Sequence, residues 1–371
     1  MTRNTYTPSA LRAIMEQFQV YGDFQSGELY GNGHINDTYR VLYHLAGRPV
    51  HYLLQRINHV IFKKPLEVQE NIQRVTQHLL RGYREKGCAD ASRRTRVIIP
   101  TRRQELALHW EDGTWWRVFI FIEEVETVEV MQTPEQAFLV GQAFAGFQNQ
   151  LADLPAPRLH ETIPHFHNTV KRYEAFQAAL HADAFNRARE VRPEIAFFEA
   201  RAERCGRLLK RHEKGELPER ITHNDTKLNN ILLDTVTGEG VCVIDLDTVM
   251  PGLALYDFGD MCRTGTAAAA EDEQDLGKVR CRLEMFAALT RGYCSAARFL
   301  VPAEKEELAF SAQLITLTIG LRFLTDFLSG DTYFRIHRPG HNLDRCRTQQ
   351  QMVLSMERQA DEMERLVSAS L

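Results

Sequence analysis

Residues 221–234 read Ile221-Thr-His-Asn-Asp-Thr-Lys-Leu-Asn-Asn-Ile-Leu-Leu-Asp234, and residues 241–247 read Val241-Cys-Val-Ile-Asp-Leu-Asp247. The first stretch contains a His-x-Asp triplet, an Asn five residues after that Asp, and then an apolar triplet. The second is a short β-branched run that reaches two carboxylates. With a Thr-Gly turn between them, the two runs predict a hairpin. We expect this hairpin to bring Asp225, Asn230 and Asp245 to one edge.

The spacing His-x-Asp-x-x-x-x-Asn, followed by a strand that delivers an Asp, is typical of the phosphoryl-transfer site of protein kinases. Asp225 is the predicted base, which orients an acceptor hydroxyl group and accepts its proton. Asn230 and Asp245 are predicted ligands of Mg²⁺, which prefers oxygen donors. Lys227 is a second predicted catalytic residue, placed to neutralise charge on the transferred phosphoryl group. The alternative is that these Asx residues only form turns and caps, but the complete spacing favours catalysis.

A second stretch, Asp257-Phe-Gly259, spells the kinase Asp-Phe-Gly motif literally. It follows a Pro-Gly turn, however, and no strand precedes it. We therefore expect Asp257 and Asp260 to cap or brace the helical region, with a role in the active site as the alternative, and Asp245 to be the metal ligand. Asp247 could assist at the metal or simply bind backbone amides.

The nucleotide phosphates are predicted to lie under the glycine turn at residues 31–36. Gly31 and Gly33 would permit close approach, and backbone N–H groups near Asn36 could face the phosphates. An ordinary hairpin turn is the alternative. The next strand should carry a cation against the α- and β-phosphates, but it has no Lys. Arg56, paired with Glu70 of the following helix, is the candidate, and an unrelated surface Arg is its alternative.

The order of predicted elements changes along the chain. Residues 1–123 read as strand-strand-helix-strand-strand-strand, whereas residues 124–371 are mainly helical and contain the catalytic hairpin, 221–247. This order predicts an α+β fold with two lobes: a small sheet-rich N-terminal lobe that binds the nucleotide and a larger helical C-terminal lobe that contains the acceptor site. The apolar run from Leu314 to Leu328 is interrupted by charges and predicts a buried helix rather than a membrane span.

Composition excludes several other classes of protein. The 371-residue chain has a net charge of −4, which gives no attraction to nucleic acid or to an anionic membrane. A local cluster of arginines at 93, 94, 96, 102 and 103 is predicted to be a solvated face. The seven scattered cysteines and the absence of an apolar leader favour a cytoplasmic protein with reduced thiols. Histidines 160, 165 and 167 are predicted to pack in a loop rather than bind zinc.

Several stretches together resemble the aminoglycoside phosphotransferase/choline kinase superfamily, and within it the N-acetylhexosamine 1-kinase branch. Besides the two opening stretches, the matching segments lie at 33–39, 54–58, 256–260, 322–326, 330–334 and 341–345. The resemblance spans residues 29 to about 355.

This resemblance implies transfer of a phosphoryl group from ATP, with Mg²⁺, to the anomeric hydroxyl of N-acetylglucosamine or N-acetylgalactosamine. Adenine would lie against the connection near Glu123 and Val125, and Arg322 and Tyr333 would contact the sugar, as would Asp225. The alternatives are a kinase of a cationic acceptor such as an aminoglycoside, choline or homoserine, and a non-catalytic pseudokinase that only binds ligands. The sequence does not indicate the oligomeric state.

Overall fold

A computed structural model describes residues 6–31, 35–128 and 130–371. The chain forms two compact units. The first contains the described residues up to Glu126 together with Asp153–Pro164 and Leu232–Met250. The second contains the described residues of Thr127–Ala152, His165–Ile231 and Pro251–Leu371.

The first unit is built on a six-stranded sheet with the strand order β1-β2-β3-β6-β4, in which β5 also pairs with β6. Every neighbouring pair is antiparallel. The strands are β1 (Asp23–Leu29), β2 (Asp37–Leu45), β3 (Arg48–Ile57), β4 (Ile98–Ile99), β5 (Leu108–His109) and β6 (Trp115–Ile120), and the helices of this unit are α1 (Pro8–Met15) and α2 (Pro65–Glu85).

The two faces of this sheet have different surroundings. Tyr39, Leu54 and Trp116 point to one face, where they pack with Leu11 and Ile14 of α1 in a hydrophobic core. Because successive side chains of a strand point to opposite faces, the residues that alternate with them lie on the other side. We call that side the polar face; it carries Thr38, Gln55, Arg117 and Phe119 on β2, β3 and β6.

The predicted hairpin is present. Strands β9 (Ile231–Asp234) and β10 (Gly240–Val243) pair, and the short strand β7 (Val125–Glu126) pairs with β9 to give a three-stranded sheet. A further two-stranded sheet joins β8 (Arg220–Thr222) to β11 (Met250–Gly252). Strand β8 leads directly into the motif at 223–230, and β10 leads into Asp245.

The second unit is mainly helical. Its first helix begins at Pro134 because Thr133 and Gln136 form a capping box and Pro134 occupies the first turn. The helices are α3 (Pro134–Leu151), α4 (Thr169–Ala182), α5 (Arg192–Glu199), α6 (Arg207–Glu213), α7 (Ala254–Gly265), α8 (Leu283–Ala296), α9 (Pro302–Leu328), α10 (His341–Arg358) and α11 (Ala360–Ser368).

Helix α9 is the one helix among the described residues that is long and apolar enough to cross a membrane by length and composition. Its apolar window is 94% buried inside the protein, as in the core helix of a globular unit. The prediction of a buried helix over this apolar run is confirmed. The sheet-rich N-terminal region and the helical C-terminal region also confirm the predicted α+β class.

Candidate active site

The catalytic loop, residues 223–230, follows β8 and carries the predicted base. Lys227 Nζ lies 2.8 Å from Asp225 Oδ1. Burial alone would raise the pKa of Asp225, but the charge of Lys227 and a hydrogen bond from Asn230 contribute to a net lowering of that pKa. The charge of Asp225 in turn raises the pKa of Lys227. Asp225 is therefore a carboxylate at neutral pH, able to accept a hydrogen bond from a hydroxyl group.

Asn230 completes this loop and keeps an oxygen available. Its Nδ2 donates to the backbone oxygen of Asp225 at 2.8 Å and to Asp225 Oδ2 at 3.0 Å. Because the amide nitrogen faces Asp225, the amide oxygen points away, and no residue in the described part of the chain donates a hydrogen bond to it. An amide oxygen beside a carboxylate is a donor set that fits Mg²⁺.

Two carboxylates of α7 brace the loop through its backbone. Asp257 Oδ2 and Oδ1 accept hydrogen bonds from the backbone N–H groups of His223 and Asn224, at 2.8 and 2.7 Å. Asp260 Oδ2 accepts from the N–H of Thr226 at 3.0 Å. Asn224 has φ 65°, in the left-handed region, which asparagine adopts more readily than most residues, and the hydrogen bond to Asp257 holds it there. The prediction that Asp257 and Asp260 brace the helical region is confirmed.

His167 supports the same loop from the other side. Its Nε2 donates to the backbone oxygen of Asn224 at 2.9 Å. Burial lowers the pKa of His167 to about 4, so the imidazole is neutral at physiological pH. Its Nδ1 is buried and has no hydrogen-bond partner among residues 6–31, 35–128 and 130–371. The prediction of a loop-packing histidine is confirmed, but sequence reasoning missed that it holds the catalytic loop.

The predicted sugar contacts, Arg322 and Tyr333, lie together. An Arg322 guanidinium nitrogen donates to Tyr333 Oη at 3.3 Å, and the Arg322 guanidinium carbon lies 5.0 Å from the ring centroid of Phe166. Asp326 orders the adjoining turn, because its carboxylate accepts from the N–H of Tyr333 at 2.8 Å. Phe166 precedes His167, so a continuous set of contacts joins this guanidinium to the catalytic loop. Their contact with a sugar stays a prediction.

In the first unit, Asp245 and Asp247 follow β10. Asp245 is in the left-handed region (φ 59°, ψ 56°). Asp247 is buried and makes a bidentate ion pair with Arg117 of the polar face, one bond of which is 2.9 Å long. Asn36 Nδ2 also donates to Asp247, at 2.5 Å, so the end of the glycine turn is tied to this carboxylate. Of the two roles predicted for Asp247, assistance at the metal and binding of backbone amides, the structure is nearer to the second. Asp247 holds other groups of the protein in place, but it binds side chains instead of backbone amides.

The predicted ion pair between Arg56 and Glu70 is wrong. Arg56 Nε donates to Asp37 at 2.8 Å, and Glu70 lies 2.8 Å from His160 Nε2. Arg56 alternates with Gln55 along β3 and therefore points to the α1 face, opposite the polar face. The contact of Arg56 with the nucleotide stays a prediction. The position of Arg56 on the α1 face, opposite the polar face, argues against it. On α2, the fully buried neighbour of Glu70 is Gln69, whose amide has no hydrogen-bond partner in the described part of the chain.

The connection predicted to contact adenine is held by Arg93. Its guanidinium donates to the backbone oxygens of Glu123 and Glu124, at 3.1 and 2.9 Å, and lies 2.8 Å from Asp234. The expectation of a solvated arginine face is therefore wrong at Arg93. Contacts of adenine with Glu123 and Val125 stay predictions.

The glycine turn is described only in part. Gly31 has φ 73°, which glycine adopts without strain, and Asn36 ends the turn immediately before β2. Gly33 lies outside the described residues. The contacts of Gly31 and Asn36 with nucleotide phosphates stay predictions.

A family model, that of the phosphotransferase enzyme family (APH), matches residues 26–292, more than half of the chain. The chain belongs to this phosphotransferase family. This membership confirms the predicted phosphotransferase class.

Solved structures share the fold of this phosphotransferase. A microcompartment-associated aminopropanol kinase is 16% identical, with a TM-score of 0.57 over 96% of this chain and 98% of its own. An aminoglycoside phosphotransferase from Alicyclobacillus acidocaldarius subsp. acidocaldarius DSM 446 is 14% identical, with a TM-score of 0.57 over 100% and 96%. A spectinomycin phosphotransferase in complex with ADP and spectinomycin is 12% identical, with a TM-score of 0.54 over 95% and 99%. These likenesses confirm the protein-kinase-like fold.

Proposed function

We propose that this phosphotransferase uses ATP and Mg²⁺ to phosphorylate the anomeric hydroxyl of an N-acetylhexosamine, N-acetylglucosamine or N-acetylgalactosamine. Asp225 accepts the proton of that hydroxyl as its oxygen bonds to the γ-phosphorus of ATP, and the bond from this phosphorus to the bridging oxygen breaks to release ADP. Lys227 stabilises the negative charge on the transferred phosphoryl group. Asn230 and Asp245 are the proposed ligands of Mg²⁺, which neutralises phosphate charge when bound.

The observation that carries the choice of acceptor is the guanidinium of Arg322 beside the hydroxyl of Tyr333. A permanent positive charge near the catalytic loop repels a cationic acceptor such as choline or an aminoglycoside. The same guanidinium donates hydrogen bonds to the oxygens of a neutral sugar or its acetamido group, and a tyrosine hydroxyl can donate or accept. Charge therefore favours the sugar over the cationic alternatives.

A panel of acceptors tests this proposal. The purified protein is incubated with MgATP and N-acetylglucosamine, N-acetylgalactosamine, glucose, choline, homoserine or an aminoglycoside, and products are identified by ³¹P NMR. We expect an anomeric phosphate with the two N-acetylhexosamines. The matched control is the methyl glycoside of N-acetylglucosamine, whose anomeric oxygen is blocked and which should give no product.

Three outcomes would contradict the proposal. Faster phosphorylation of a cationic acceptor would favour the alternative kinase, and phosphorylation of the methyl glycoside would show that the anomeric oxygen is not the acceptor. If MgATP bound but no acceptor on the panel were phosphorylated, the sugar kinase proposal would fail and a pseudokinase would be favoured.

A further inference from the structure

Arg96 lies on the polar face of the sheet in the first unit, just before β4. Its guanidinium carbon is 5.8 Å from the ring centroid of Phe119, and Arg117 lies over the same ring at 5.2 Å. Arg117 pairs with Asp247, which lies two residues after the predicted metal ligand. Asp247 also accepts from Asn36, at the end of the glycine turn. Arg96 therefore shares an aromatic ring with the arginine that anchors this part of the predicted phosphate site.

Several arginines of the first unit are held by carboxylates, and Arg96 is not. Among the residues that the structure describes, Arg96 has neither an ion pair nor a hydrogen bond. Its partly buried guanidinium is stacked over a ring instead. The paired arginines are Arg40 with Glu28, Arg56 with Asp37, Arg93 with Asp234, Arg94 with Asp90 and Arg117 with Asp247.

An unpaired and partly desolvated cation is costly unless an anion completes the site. Burial lowers the pKa of Arg96, although the guanidinium of an arginine stays protonated in proteins. The planar guanidinium suits bidentate binding of phosphate oxygens. The aromatic ring beneath it keeps the guanidinium oriented, which reduces the entropy lost when a phosphate binds.

We propose that Arg96 binds the phosphates of the nucleotide and supplies the cation that the third strand lacks. This inference rests on the proposed function, because it requires that the protein bind a nucleoside di- or triphosphate. The ligand class is a polyphosphate, and the contact is a charge-assisted hydrogen bond from the guanidinium.

The test compares Arg96→Gln with Arg96→Lys and with Arg103→Gln. Arg103 is an exposed arginine in the same unit, so its replacement changes the net charge equally. Calorimetry measures the Kd of MgADP, and saturation-transfer NMR measures binding of adenosine, which has no phosphate. We expect Arg96→Gln to weaken MgADP binding roughly 10- to 100-fold with adenosine binding unchanged. Arg96→Lys should restore part of the loss, and Arg103→Gln should resemble the wild type.

Two results would overturn the role of Arg96. One is wild-type MgADP affinity in Arg96→Gln; the other is an equal loss of MgADP and adenosine binding, which would indicate a structural role. Measurements on the wild-type protein distinguish failure of the Arg96 proposal from failure of the proposed function. If it binds MgADP but phosphorylates no sugar, the acceptor proposal fails while the Arg96 comparison stands. If it binds no MgADP, both proposals fail.

Discussion

Buried carboxylates support both the catalytic loop of the second unit and the polar face of the first, but they bind different groups. Asp257 accepts hydrogen bonds from the backbone N–H groups of His223 and Asn224. Asp247 instead accepts from the side chains of Arg117 and Asn36. Backbone hydrogen bonds determine the path of the chain, whereas side-chain bonds place individual charged groups. We therefore expect changes near the loop to affect turnover, and changes near the polar face to affect nucleotide binding.

The largest effect is expected for Asp225→Asn. The amide cannot accept the proton of the acceptor hydroxyl, so kcat should fall about 10²–10⁴-fold. The Kd of MgADP should stay close to that of the wild type. ATP consumption and calorimetry measure the two quantities. Near-normal turnover would disprove the assignment of Asp225 as the base. Loss of MgADP binding would contradict the expectation that changes in the loop affect turnover and not nucleotide binding.

Asp245→Asn is the matched change in the first unit. Asparagine tolerates the left-handed conformation of this position, so the fold should be kept. Loss of a residue that only hydrogen-bonds to a metal ligand weakens metal binding roughly 10- to 100-fold. Loss of a ligand itself should therefore weaken binding of ADP in the presence of Mg²⁺ by at least that factor. Titrations of ADP with Mg²⁺ and with EDTA separate the two parts of the affinity. If Mg²⁺ increased ADP affinity in the variant as much as in the wild type, Asp245 would not be a ligand.

Asp257→Asn tests the backbone brace. The two loop N–H groups would face an amide that offers one acceptor oxygen and one competing N–H donor. We expect the free energy of unfolding to fall by about 1.5–3 kcal/mol, the range for hydrogen bonds to a charged group, and kcat to fall with it. Urea unfolding and steady-state kinetics measure these changes. A variant with reduced stability but unchanged kcat would show that the brace serves the fold alone.

The smallest effect concerns pH. His167 has a folded-state pKa of about 4, below its ordinary value of 6.5. The unfolded chain therefore binds more protons between those pH values, and the stabilisation from neutral His167 is lost as the pH falls through that window. Burial raises the pKa of Asp257 to about 6, which acts in the opposite direction, because the folded state then binds more protons between about pH 4 and 6.

His167→Gln isolates the first contribution, since glutamine can still donate to Asn224. Between pH 7 and pH 5 the variant should lose about 2 kcal/mol less stability than the wild type. Asp257→Asn should lose more stability than the wild type between the same pH values, because the stabilisation that the wild type gains when Asp257 is protonated is absent. Urea unfolding at both pH values measures the difference, and equal losses in the wild type and His167→Gln would mean that His167 titrates normally.

The prediction from sequence succeeded where the signal is local. The hairpin of β9 and β10 follows from an apolar triplet and a β-branched run on either side of a turn. The brace by Asp257 could be inferred because a Pro-Gly pair, and not a β-branched run, precedes it in sequence. The structure shows that this pair lies in the short strand β11, so the expectation that no strand precedes Asp257 is wrong, although Asp257 itself lies on α7. The pairing of Arg56 with Glu70 failed because a shift of one residue along a strand reverses the face to which a side chain points.

The sequence by itself determined the family, the α+β class and the motif that contains Asp225, since these depend on residue spacing along the chain. Only the tertiary structure decided which cations are paired and which are not. Arg93, Arg94 and Arg96 are near neighbours in sequence, yet two bind carboxylates and one lies over an aromatic ring. The partner of Arg94 is four residues away, whereas the partners of Arg93 and Arg96 lie on distant segments of the chain. Folding brings those segments together and so determines what each guanidinium contacts.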